Sequence, residues 1–88
     1  MRIGVVEVTR QFERQYQKLP KRIRDAAKDK ERIFREDPFD RRLHTHKLHG
    51  KDKEVWAFSV VKAYRVKFIF LAPGQVLFLE IGTHDIYR

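Results

Sequence analysis

Apolar residues along this chain follow two different spacings, and the change between them falls near the middle. From Ile3 to Val8 the residues are β-branched and extended in character, which predicts a strand over 3–8. Thr9 is a good helix N-cap, and Phe12, Tyr16 and Leu19 then recur at i, i+4 and i+7. A short helix over 9–18 follows. Leu19-Pro20 breaks it, and Pro20 is suited to open the next helix. Ile23, Ala26, Ala27, Ile33 and Phe34, with the stem of Lys30, mark one face of that second helix over 20–36. Asp37-Pro38 ends it, because a residue before proline avoids helical angles.

Residues 38–53, PFDRRLHTHKLHGKDK, carry neither period and are the most polar tract of the chain. Beyond them the spacing becomes two. Trp56, Phe58 and Val60 alternate with Ala57, Ser59 and Val61, and Tyr64, Val66, Phe68 and Phe70 alternate with Arg65, Lys67, Ile69 and Leu71. Ala72-Pro73-Gly74-Gln75 reads as a hairpin turn, followed by a strand with Leu77, Leu79 and Ile81 on one face. Strands are thus expected over 54–61, 64–71 and 76–83. The order β-α-α-β-β-β predicts an α+β domain, with a helical hairpin packed on one face of a largely antiparallel four-stranded sheet.

At 88 residues the chain has room for one such domain, and seven Phe, three Tyr and one Trp supply its core despite a charged fraction of 36%. There is no cysteine. A secreted domain of this size usually needs disulfides, so a cytoplasmic location is expected. No segment approaches the ~20 apolar residues of a membrane span, and the charged N-terminal residues do not read as a signal peptide. Twenty Lys and Arg against twelve Asp and Glu give +8, which points to a polyanionic partner: RNA, DNA, ribosome or an acidic protein.

Alternation places the candidate chemistry. With Val66, Phe68 and Phe70 toward the helices, Arg65 and Lys67 face away; with Leu77, Leu79 and Ile81 toward the helices, so do Glu80, Gly82 and, where the strand continues, His84. Cutting RNA without a metal needs a base for the 2′-hydroxyl proton, an acid for the leaving 5′-oxygen and a cation for the charge on phosphorus. Histidine suits either proton transfer, and arginine suits the phosphate. The chain offers His44, His46, His49 and His84, with Arg65, Lys47, Lys51 and Lys53. Each also has an ordinary structural reading. His84 is equally suited to cap its strand, Arg65 to be a sheet-surface charge pairing with Glu80, and Trp56 to anchor the core. Glu80 reads as a general base or as a balancing charge, and Tyr87 as a base-stacking ring or a loose tail. A metal site in H-x-H-x2-H is disfavoured by the absence of cysteine and by Arg42 and Lys47 beside it.

Taken in order, F-x3-Y-x2-LP at Phe12–Pro20, DPF followed by L-x2-HKL-x-G at Asp37–Gly50, W-x-F-S at Trp56–Ser59, YRV-x-F at Tyr64–Phe68 and the ending IGTHDIYR resemble the RelE/ParE toxin superfamily over nearly the whole chain. Its YafQ-like and RelE-like mRNA interferases are the most similar branches. The resemblance implies a toxin encoded beside its antitoxin, an endoribonuclease that enters the ribosomal A site and cuts mRNA by 2′-hydroxyl attack with no metal or other cofactor. It assigns His46 to a catalytic histidine, Arg65 to the arginine on the scissile phosphate, His84 to the C-terminal catalytic histidine and Tyr87 to a C-terminal aromatic. Lys47, Lys51 and Lys53 fall where RelE-like members keep RNA-binding lysines. In this scheme His46 is the base, His84 the acid and Arg65 the phosphate cation. The sequence departs from the YafQ-like pattern between Trp56 and Tyr64, where a further histidine and aspartate have no counterpart, and from the full basic set of RelE. A ParE-like gyrase poison without nuclease activity and a degenerate toxin that only binds its antitoxin are the alternatives.

Overall fold

The computed structural model describes residues 1–49 and 54–87. Strand β1 (Val5–Val8) leads into α1 (Arg10–Gln17) and α2 (Lys21–Glu36). A 3-10 turn (Arg41–Leu43) and β2 (His46–Lys47) follow, then β3 (Trp56–Ser59), β4 (Arg65–Ala72) and β5 (Gln75–Gly82). A second 3-10 turn, His84–Tyr87, comes last and is called the C-terminal turn.

The local signals act as expected. Thr9 accepts the Phe12 amide at 3.0 Å and so caps α1. Pro20 takes the N-cap position of α2, one residue before the position its ring geometry prefers, and α2 stops at Glu36 before Asp37-Pro38. Gly74 adopts φ +77° in the hairpin turn, a conformation costly for any residue with a Cβ, and its carbonyl accepts the amides of Gly4 and Val5.

The sheet has five strands, in the order β1-β5-β4-β3-β2, where four were expected. The extra one comes from the irregular basic tract: His46 and Lys47 pair antiparallel with Ala57 and Trp56. Upstream of it, Pro38 and Leu43 are fully buried, so this tract is built into the domain. β1 is the sole parallel partner among the described strands, paired with β5 from Val5↔Gln75 to Val8↔Phe78.

Between the helices and the sheet lies an aromatic core. Phe34 of α2 meets Phe58, Phe68 and Phe78 with ring centroids 4.9, 5.0 and 5.4 Å away, and Phe12 of α1 meets Phe78 at 5.5 Å. A cleft of about 420 Å³ opens between α1, α2 and β1, lined by Val6, Val8, Phe12, Tyr16 and Ala27.

Phe78 corrects the expected facing of β5. Its alternation placed Leu77 and Leu79 toward the helices, but Val76, Phe78 and Ile81 are buried there instead. A bulge explains the mixed parity. Lys67 pairs with Glu80 and the next residue, Phe68, pairs with Phe78, so Leu79 is the extra residue on β5. Downstream of the bulge the expected facing holds, and Ile81 is inward while Glu80 and Gly82 are outward.

Candidate functional site

The sheet face away from the helices is read from its registers. One row across the strands is His46, Ala57, Lys67 and Glu80; the adjacent row is Ser59, Arg65 and Gly82. Side chains in both rows point to the same side. His46 therefore shares a face with Arg65, two strands and one row away. At ~4.8 Å between strands and ~6.8 Å between same-face residues, their Cα atoms lie roughly 12 Å apart.

Arg65 is held at its guanidinium end. Its Nη1 donates to the carbonyls of Lys62 and Tyr64 at 2.9 and 3.0 Å, within the tight β3–β4 connection where Lys62 adopts φ 54°. His46 is exposed, and its Nδ1 lies 3.0 Å from the His44 carbonyl, which orients the ring through a donated N–H. His44 itself is exposed and sits at φ 50° as the end of the Arg41–Leu43 turn.

After Gly82 the chain folds back over this face. Ile86 is 2% exposed, and a Cβ on Gly82 would come within 2.8 Å of its Cγ2. Glycine is required there because the turn sits where a side chain would stand. Thr83 donates to Asp85 Oδ1 and its carbonyl accepts the Ile86 amide, closing the turn. His84 opens the turn and is exposed; Tyr87 ends it, half exposed. Burial pushes the Tyr87 phenol above its ordinary range, and the nearby positive charge of Arg65 pulls it part of the way back. Tyr87 and Arg65 thus belong to one electrostatic neighbourhood.

Beneath the turn is a buried ion pair that the sequence assigned differently. Lys67 Nζ lies 3.0 Å from Glu80 Oε2, with side chains 15% and 9% exposed. Glu80 balances charge, as one of the two readings had it, but through Lys67 rather than through Arg65. The cross-strand register Lys67↔Glu80 was hidden by the bulge next to it.

The expected lysines are not gathered here. Lys47 alternates with His46 and lies on the opposite side of the sheet, its Nζ 6.0 Å from the Trp56 ring centre. Trp56 packs against Phe39 and Phe70 at the margin of the core, the anchoring role rather than the stacking one. Lys51 and Lys53 lie outside the described residues. Among the described residues no group of three or more His, Asp or Glu is placed to hold a metal ion, and no helix is long and apolar enough to cross a membrane.

No protein-family model and no curated protein sequence matches the chain. Solved structures do. The RelE–RelB complex of Pyrococcus horikoshii matches with a TM-score of 0.74 at 20% identity, over 94% of this chain and 96% of that one. The DinJ–YafQ toxin–antitoxin complex of E. coli matches at 0.75 and 17%, over 98% and 97%. The YoeB/ParE toxin of Agrobacterium tumefaciens matches at 0.78 and 17%, over 91% and 98%. These likenesses cover more than nine-tenths of each chain, and the chain has the fold of the RelE, YafQ and YoeB/ParE toxins.

Proposed function

We propose that this chain is the toxin of a toxin–antitoxin pair and a metal-independent endoribonuclease that cuts mRNA on the ribosome in the cytoplasm. The observation that carries the reading is the outer sheet face, where Arg65 and Tyr87 share one electrostatic neighbourhood and His46 lies on the same face. His84 opens the turn that folds over that face. His46 takes the proton of the 2′-hydroxyl, which attacks the adjacent phosphorus. Arg65 offers its Nε–Nη2 edge to the phosphate oxygens, since Nη1 already meets two carbonyls. His84 protonates the departing 5′-oxygen, leaving a 2′,3′-cyclic phosphate and a 5′-hydroxyl. Tyr87 flanks the phosphate or stacks on a base, and Lys51 and Lys53 add charge for the RNA backbone. Lys47, on the other side of the sheet, is not part of this set.

The +8 charge suits an acidic antitoxin segment, and the matched RelE and YafQ structures are complexes with RelB and DinJ. Induction of the protein followed by primer extension on a translated mRNA tests the reading. Translation-dependent cuts that leave 2′,3′-cyclic phosphate and 5′-hydroxyl ends are expected, with growth restored by the adjacent reading frame. Changes at His44 and His49 should leave the cuts in place. Intact mRNA with damaged DNA would instead favour a gyrase poison, and intact mRNA with no growth defect a chain that only binds its antitoxin.

A further inference from the structure

We propose that Lys67 and Glu80 are positioning residues for the C-terminal turn, a strut that holds His84 and Tyr87 in place over Arg65; this rests on the cleavage reading above. Lys67 Nζ makes two contacts at once, with Glu80 Oε2 at 3.0 Å and with the Ile86 carbonyl at 3.0 Å. Ile86 stands between His84 and Tyr87 in the turn. The other Glu80 oxygen accepts the Nε2 groups of Gln11 and Gln15 on α1, each at 3.2 Å. Gln15 is itself fixed, because its Oε1 accepts the Ile81 amide at 2.9 Å. A continuous path of polar contacts therefore runs from α1 through Glu80 and Lys67 to the turn.

Stability alone does not account for this pair. Two charges this buried lose hydration that their attraction barely repays, and apolar residues of similar volume serve a sheet face as well or better. What an apolar pair lacks is a donor for the Ile86 carbonyl. The turn is short and touches the sheet at Ile86 in two ways, its side chain over Gly82 and its carbonyl on Lys67. Without the ammonium the second of these contacts is lost. Glu80 keeps the ammonium aimed. Its carboxylate is engaged by three side chains, so it serves as a brace and not as the base.

The test is the full-length double variant Lys67→Met/Glu80→Met, which removes both charges together and leaves neither buried alone. Two measurements apply: amide exchange at Ile86, whose N–H is bonded to the Thr83 carbonyl, and cleavage of mRNA on programmed ribosomes. Faster exchange confined to 84–87 is expected, with the saturating cleavage rate down about 10²-fold and the half-saturating concentration little changed, as for a displaced catalytic group. Lys67→Arg, which keeps a charged donor, should recover much of the rate. If the double variant does not fold, Lys67→Gln is read in the same two ways. Unchanged exchange at Ile86 together with an unchanged rate overturns the strut. A wild-type protein that cuts no RNA overturns the cleavage reading instead, and the exchange measurement still decides whether the pair holds the turn.

Discussion

The two faces of the sheet are built on opposite principles. Toward the helices, Phe34, Phe58, Phe68 and Phe78 are all 3% exposed or less and pack ring against ring. Dispersion and desolvation hold that face, and neither dictates the position of a single atom very sharply. On the far side, Arg65, Lys67, Glu80 and the C-terminal turn are held by directional contacts near 3 Å. Among the described residues no buried side-chain polar atom lacks a partner, so that face is organised rather than merely solvated. The first face is held by packing and the second by aimed polar contacts.

Phe34→Ala presses this contrast hardest. Loss of a fully buried ring that touches three others should cost about 3–5 kcal/mol, measured as a fall in the urea midpoint, and in a chain this small it should leave little folded protein. On the outer face the expected effects reverse. His46→Ala, His84→Ala or Arg65→Ala should change the unfolding free energy by no more than about 0.5 kcal/mol, while mRNA cleavage falls roughly 10²–10⁴-fold. A variant of this group that unfolds as readily as Phe34→Ala would erase the distinction between the faces.

Gly82→Ala lies between the two. The added methyl meets Ile86 Cγ2 at 2.8 Å and must push the turn outward, an overpacking worth about 1–3 kcal/mol. Most of the loss should show as reduced cleavage, with the aromatic core unchanged by near-UV circular dichroism. Asp40 gives the smallest effect. Hydrogen bonds from the Arg42 side chain and amide lower its pKa from 3.8 to about 2. A lowered carboxylate pKa contributes stability above the unfolded value that is lost as pH falls through the folded one. The thermal midpoints of wild type and Asp40→Asn should therefore differ slightly at neutral pH and converge between pH 4 and 2.

Much of this architecture is legible in the chain itself. Thr9, Pro20 and Asp37-Pro38 delimit both helices because capping and proline geometry act within three or four residues. The inward faces of α2 and β4 follow from period alone, as does the outward placement of Arg65 and Lys67. Contacts over longer separations are another matter. The Leu79 bulge, which turns Phe78 inward, depends on how β5 fits β4. The pairing of His46 with Ala57, which makes a strand of a basic tract and sends Lys47 to the far side, depends on β3 lying beside it. The choice of Lys67 over Arg65 as the partner of Glu80 depends on both. Local signals specify elements because their energies come from near neighbours; register and partner choice belong to whole strands laid side by side, and only the assembled sheet decides them.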